Sequence, residues 1–141
     1  MNRQDVIGVL QTFFAAMQEW EKNCAARDQL VRKGEVSHEE AKEISREELK
    51  KVFKEYCTTW EVPARASGGS IFYDRPPSYD PKTEEFLKID IGKKTAKVLT
   101  QQKTGLQTKC VYRLRLCEDG WRIQDNRKCI DMHGNETPWD L

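Results

Sequence analysis

The spacing of apolar residues changes once along the chain, from a helical period in the first half to alternation in the second. An apolar series at intervals of three and four predicts one long amphipathic helix over about residues 5–32. The series comprises Val6, Leu10, Phe13, Met17, Trp20, Cys24 and Val31. From Phe86 onward, apolar and polar residues alternate, which is typical of strands with one buried face. This order predicts an α+β fold in which helices wrap a curved antiparallel sheet, and 141 residues fit a single domain.

A stop signal and a capping box separate two predicted helices. Gly34 is expected to take the left-handed conformation that ends the first helix. Ser37, with Glu40 three residues later, fits the capping box that begins the second. Helical spacing continues to about Cys57, with a bend expected near Ser45.

The predicted sheet covers about residues 85–130 and follows a Pro- and Gly-rich loop at about residues 60–84. In its first strand, Leu87, Ile89 and Ile91 share the face assigned to the core. In the strand over residues 109–117, the side chains assigned to the core are Cys110, Tyr112, Leu114 and Leu116. A short edge strand is expected at 71–73, and residues 131–141 are expected to be an irregular tail.

The charge balance excludes several classes of protein. The chain has 24 Lys and Arg against 23 Asp and Glu, and the net charge of +1 lacks the basic excess of a nucleic-acid binder. No apolar run is long enough to cross a bilayer, and no secretion signal is evident at the start. We therefore expect a soluble cytoplasmic protein that binds neither nucleic acid nor membrane.

The five cysteines are widely spaced and include no Cys-x-x-Cys pair, so they are interpreted as free thiols in a reducing compartment. Cys129 and His133 have the spacing of two metal ligands, but a structural zinc site needs four and no second pair is evident. No metal or other cofactor is expected.

Three surface segments are candidates for contact with a partner. Residues 35–48 hold six Glu against two basic residues, which indicates either a solvated helix face or a contact surface; the candidates are Glu39, Glu40, Glu43 and Glu47. Lys97, Arg113, Arg115 and Arg122 are expected to form a basic stripe on the outer sheet face, either solvated or used by a partner or a homodimer. The Pro-rich turn contributes Tyr73 and Tyr79 as exposed anchors, and Asp80 either as a contact or as a cap of local amides.

The order of several segments resembles the NTF2-fold immunity proteins of bacterial polymorphic toxin systems, over about residues 48–126. The segments are Val52-Phe53-Lys54-Glu55-Tyr56-Cys57-Thr58, Pro76-Pro77-Ser78-Tyr79-Asp80-Pro81, Lys94-Thr95-Ala96-Lys97-Val98-Leu99-Thr100-Gln101, Tyr112-Arg113-Leu114-Arg115 and Asp119-Gly120-Trp121-Arg122-Ile123. The resemblance implies an NTF2-like cone, with the helices packed in the hollow of a strongly curved sheet. It further implies a non-catalytic protein that binds a cognate toxin domain and blocks it.

The alternative is a small-molecule binder or a lyase/isomerase that uses the hollow, as other proteins of this fold do. Such an enzyme needs a titratable pair on a core face. Both His38 and His133 lie off the predicted core faces, which leaves Tyr56 or Tyr112 with Asp90. A polar hollow favours this alternative, whereas binding to a protein partner is favoured by a hollow filled with Phe13, Met17, Trp20, Phe53 and Trp121.

Overall fold

The computed structural model describes residues 3–58, 79–103, 107–130 and 133–141. Two helices, α1 (Arg3–Arg32) and α2 (His38–Tyr56), precede the strands β1 (Glu84–Ile91), β2 (Thr95–Gln102), β3 (Lys109–Cys117), β4 (Gly120–Ile130) and β5 (Glu136–Asp140). These strands form one antiparallel sheet in the order β1-β2-β3-β4-β5. The predicted α+β class is confirmed. The sheet is neither closed nor strongly curled, so the strong curvature that we expected is not confirmed.

The helix boundaries follow the local signals in the sequence. Gly34 has a φ of 75°, and its N–H donates to the carbonyl of Val31 while that of Glu35 donates to Leu30, which is the Schellman pattern. At the start of α2, the Ser37 hydroxyl accepts a hydrogen bond from the backbone N–H of Glu40 at 3.1 Å. The predicted helix stop and helix start are therefore confirmed.

Ser45 is a contact between the helices and not a bend, because α2 runs through it without interruption. The Trp20 indole N–H donates to the Ser45 carbonyl at 2.8 Å, and Arg27 Nε donates to the Ser45 hydroxyl at 3.0 Å. A small residue at this position lets the two helices approach closely, so the expected bend is wrong.

The core lies between the two helices and one face of the sheet. Six of the seven residues of the predicted α1 stripe are buried, Val31 being the half-buried exception, and Phe14 is buried beside them. From the sheet, the buried apolar side chains of this cluster are Ala96, Val98, Cys110, Tyr112, Leu114, Trp121, Ile123 and Cys129. Within the described parts of the chain, no helix has the length and apolar character that a membrane span requires.

In β1 the predicted core face is right at Ile89 and wrong at Leu87. Phe86 is opposite Thr100 while Lys88 is opposite Leu99, so Leu87 is the extra residue of a β-bulge. Because a bulge reverses the alternation, Phe86 and Ile89 pack against the core. Leu87 is instead 41% exposed, and Ile91, the last residue of β1 and opposite buried Ala96, is 39% exposed.

The inward face of β3 agrees with the prediction except at its end. Cys110, Tyr112 and Leu114 are buried, whereas Leu116 is 36% exposed next to the β3–β4 turn. On the opposite face, Val111 is only 4% exposed, although α1 and α2 both lie on the other side of the sheet. The outer face of the sheet therefore has a shielded apolar position at its centre.

The C-terminal segment is not an irregular tail, because β5 pairs with β4 from Ile130↔Glu136 to Asn126↔Asp140. Pro138 is tolerated because β5 is the last strand of the sheet, where a missing N–H breaks no ladder. The following residue, Leu141, is buried in the core. The edge strand expected at 71–73 lies outside the described residues.

Candidate partner-binding surfaces

The space between the helices and the sheet is filled by apolar side chains. The five residues expected to fill it are all buried: Phe13, Met17, Trp20, Phe53 and Trp121. Phe13 is at the centre of an aromatic group, with ring centroids 6.2 Å from Phe53 and 6.0 Å from Tyr56. Close packing of this kind stabilises the fold. It also occupies the volume in which a ligand pocket would lie.

Buried polar groups in the core bond to one another. Arg127 donates from Nη1 to the Tyr112 hydroxyl at 2.9 Å, and its guanidinium carbon lies 4.9 Å from the Tyr79 ring centroid. Glu21 accepts from the backbone N–H of Tyr79 at 3.3 Å. Burial raises the pKa of Tyr112 well above its ordinary value, so its hydroxyl stays neutral. These contacts tie α1 and the chain at Tyr79 to the sheet.

Two members of this group were not identified from the sequence. Glu21 lies four residues after Met17, so it continues the buried stripe of α1. A charged residue at a stripe position is a signal in the sequence that could have identified Glu21 as a buried polar group. Arg127 is buried in β4, opposite Tyr112. Its partners come from distant segments, which the sequence pattern does not reveal.

The structure does not bring together the residues of the alternative enzymatic site. Tyr112 faces the core, whereas Asp90 is exposed, with Oδ2 at 3.9 Å from Lys88 Nζ. Asp90 is opposite Lys97 on β2, a residue whose chain neighbours are buried and which therefore points away from the helices. Tyr56 is half-buried against Phe13, and its pKa is raised chiefly by burial. The hydroxyl of Tyr112 and the carboxylate of Asp90 thus lie on opposite faces of the sheet.

Cys129 contacts a cysteine on the adjacent strand. Cys110 and Cys129 are opposite one another in β3 and β4, with their Sγ atoms 2.7 Å apart. The hydrogen bond between the two thiols, followed by burial, raises the pKa of Cys110. His133 is exposed, and no group of three potential metal ligands occurs among the residues that the structure describes.

Three exposed cations lie on the sheet face away from the helices. Lys97 on β2 is between two buried residues, and so is Arg113 on β3; Arg115 follows two residues after Arg113. Lys97 and Arg113 are opposite one another in the register of the two strands. Leu99 and Val111 form the next outward pair along these strands. We call these five residues the outer patch.

An open groove of about 670 Å³ adjoins the outer patch near the β1–β2 turn. Asp90, Ile91, Lys97, Arg113 and Gln124 are among the residues that line it. Charged and aliphatic side chains thus meet in one concavity at this end of the sheet. The groove is wide and open to solvent, unlike the filled space on the helix side.

Arg122, predicted as part of the same basic stripe, has a different role. Its Nη1 donates to the carbonyl oxygens of Lys54 at 2.6 Å and Cys57 at 3.1 Å. Nε donates to Asp119 Oδ1 at 3.1 Å, and this pairing lowers the pKa of Asp119. Carbonyls at a helix C-terminus have no partner within the helix. Arg122 satisfies two of them and fixes the end of α2 to the β3–β4 hairpin.

The acidic face of α2 is largely compensated by its own cations. Three salt bridges join residues three apart: Glu39 to Lys42 at 3.1 Å, Glu43 to Arg46 at 2.9 Å, and Glu47 to Lys50 at 3.4 Å. The hydrogen bond from Lys42 lowers the pKa of Glu39. Glu40, the fourth candidate, is exposed in the first turn. Such pairs are typical of a solvated helix face.

The structure places the aromatic and turn candidates differently from our expectation. Tyr79 is only 2% exposed, and its ring packs against Phe13 and Phe14 with centroids 5.8 and 5.9 Å apart. The expectation that it lies exposed is therefore wrong, because the aromatic face of α1 covers it. Asp80 caps its turn, accepting from the N–H of Lys82 at 2.9 Å. Tyr73 lies outside the described residues.

Comparison with known proteins identifies the family. A family model described as NTF2 fold immunity protein matches residues 5–136. The match takes in both helices, strands β1 to β4 and the first residue of β5. No curated protein and no solved structure matches the chain. Because the family model spans nearly the whole sequence, the chain belongs to the NTF2 fold immunity proteins.

Proposed function

We propose that this protein binds and neutralises the cognate toxin domain of a bacterial polymorphic toxin system, and that it does so in the cytoplasm. The observation that carries this proposal is the family match over residues 5–136. The mechanism is steric and electrostatic. The folded chain covers the active site or the substrate path of the toxin, and inhibition needs neither turnover nor a cofactor.

The filled interior supports binding through the surface. Phe13, Trp20 and Trp121 occupy the space that a small-molecule site of this fold would use. Tyr112 and Asp90, one of the two pairs that the enzymatic alternative could use, lie on opposite faces of the sheet. Binding of a macromolecule to the exterior is consistent with both observations.

Co-expression with the toxin domain encoded next to this gene tests the proposal. Cell survival is scored first, and the two chains are then co-purified. A Trp121→Ala variant is the matched control, since loss of its buried ring is expected to unfold the chain and remove protection. Survival with a stoichiometric complex is the expected result.

Two outcomes contradict the proposal. Cell death in the presence of soluble, folded wild-type protein would show that it does not neutralise this toxin. Survival without any complex would instead point to destruction of the toxin or its product, and would overturn blocking by binding.

A further inference from the structure

We propose that the outer patch is the surface that receives the toxin, and that it fits an acidic, partly apolar region of that partner. This inference rests on the proposed function and names the face that carries it out. The patch consists of Lys97, Leu99, Val111, Arg113 and Arg115, all on β2 and β3.

The cations of the outer patch are placed against one another. Lys97 and Arg113 are directly opposite in adjacent antiparallel strands, an arrangement that is destabilising for like charges. Arg115 lies two residues further along the same side of β3. Among the residues that the structure describes, none of these three side chains forms a hydrogen bond or an ion pair. Asp90, on β1, is the acidic residue opposite Lys97 in the register, and an approaching anionic surface would relieve the repulsion that remains among the three cations.

Among the described residues, Asp90 and Glu136 lie at the flanks of this face with a cation nearby, and exposed Glu85 lies opposite Gln101, four residues along β2 from Lys97. Asp90, on β1, is opposite Lys97 in the register, but its carboxylate lies 3.9 Å from Lys88 Nζ. On the other flank, Glu136 of β5 lies 3.8 Å from Lys128 Nζ. Around Lys97, Arg113 and Arg115, the described cations therefore outnumber the acidic groups.

Apolar contact area accompanies the charge. Leu99 and Val111 are directly opposite, one step along the strands from Lys97 and Arg113. Val111 is only 4% exposed, so the aliphatic surface beside the cations comes from Leu99, which is partly exposed. Aliphatic surface next to charged side chains is compatible with a protein interface. A nucleic-acid surface would require a stronger basic excess than a chain of net charge +1 has.

The acidic face of α2 is the rival surface. Glu39, Glu43 and Glu47 each have a cation within 4 Å on the same helix. A partner that recruited these carboxylates would first have to displace their own lysines and arginine. The outer patch requires no such exchange, and this difference decides between the two faces.

Isothermal titration with the purified toxin domain encoded next to this gene tests the assignment. The perturbed variant is Arg113→Glu with Arg115→Glu, and the matched control is Lys22→Glu with Lys51→Glu. The control makes the same change in net charge at exposed positions on α1 and α2. We expect a Kd roughly 100-fold weaker for the perturbed variant and a change of less than about threefold for the control.

Two further measurements keep the test independent of folding. Far-UV circular dichroism and thermal melting must show that the perturbed variant is folded. Wild-type affinity should fall steeply as NaCl rises from about 0.05 to about 0.5 M, because screening weakens attraction between charged surfaces. An affinity insensitive to salt would contradict the acidic character of the partner surface.

The remaining outcomes separate this inference from the proposed function. Full affinity in the folded Arg113→Glu/Arg115→Glu variant would overturn the surface and leave the function standing. Loss of affinity in a Glu43→Lys/Glu47→Lys variant alone would assign the toxin to α2 instead. If the patch variant kept its affinity for the toxin but no longer self-associated, the occupant of the patch would be a second copy of the chain. If it kept that affinity but no longer bound nucleic acid, the occupant would be a nucleic acid. Wild-type protein that neither protects cells nor binds would overturn both proposals.

Discussion

Arg113→Glu alone is expected to stabilise the fold while it weakens toxin binding. Arg113 is opposite Lys97 across β2 and β3, and both side chains are exposed. The substitution replaces a like-charge cross-strand pair by an opposite-charge pair. Net charge changes from +1 to −1, so its magnitude is unchanged. A gain in stability would therefore come from the local pair and not from the overall charge.

The expected gain is roughly 0.5 to 1 kcal/mol, because cross-strand charge pairs contribute a few tenths to 1 kcal/mol and solvent screens exposed charges. For a chain of this size, that corresponds to a rise of about 2 to 4 °C in Tm. Urea unfolding followed by circular dichroism measures the free energy of unfolding directly. The gain should shrink in about 1 M NaCl, where the Debye length is about 3 Å.

Lys109→Glu is the matched control for this prediction. Lys109 is an exposed cation on the same strand, but it is opposite the uncharged residues Gln101 and Ile130. Its reversal should leave the free energy of unfolding nearly unchanged. If Arg113→Glu destabilised the fold, or if both variants gained equally, the argument from cross-strand repulsion would be refuted.

Three further predictions concern the core. Trp121→Ala, which removes a buried ring, is expected to lower the free energy of unfolding by about 3 to 5 kcal/mol in urea titrations; a loss below about 1 kcal/mol would contradict its role in the core. Glutathione disulfide is expected to oxidise Cys110 and Cys129 to a disulfide by thiol exchange, and the two thiol hydrogens pass to the two glutathione molecules that are released. Intact mass and non-reducing peptide mapping detect this disulfide. The Cys129→Ala variant must not form it. Burial raises the pKa of Glu84, so the carboxyl group holds its proton more tightly in the folded state than in the unfolded state. The stabilisation from this group is therefore present at low pH and is lost as pH rises through the raised pKa. Wild-type stability relative to Glu84→Gln should therefore fall as pH rises above the ordinary glutamate pKa; a difference that does not vary with pH would contradict this.

Local signals made both helices predictable from the sequence. Gly34 and Ser37 act on backbone groups within a few residues, so a short segment contains the whole cause of each helix end. The buried stripe of α1 follows in the same way from helical geometry. Alternation also predicts most of the inward face of β2 and β3, because these two strands remain in register with each other from Thr95↔Arg115 to Gln101↔Lys109.

The departures from prediction all depend on distant partners. Leu87 is exposed because the register of β1 against β2 shifts at a bulge, which alternation within β1 does not encode. The sequence predicts an irregular tail over residues 131–141, although Pro138 lies in β5, where an edge position of the sheet accommodates it. Tyr79 is buried because α1, more than 50 residues earlier in the chain, presents Phe13 and Phe14 to it.

Arg113 and Arg122 show why a surface must be judged by the partners of its side chains. Both arginines belong to the same predicted basic stripe, but Arg122 contacts Asp119 and two helix carbonyls. Its replacement would leave those carbonyls without that donor and should lower stability. Arg113 has no such partner among the described residues and is opposite another cation, so its replacement should have the reverse effect on stability. A residue whose substitution improves the fold but abolishes protection is retained for binding, and this combination of effects distinguishes the outer patch from a merely solvated face.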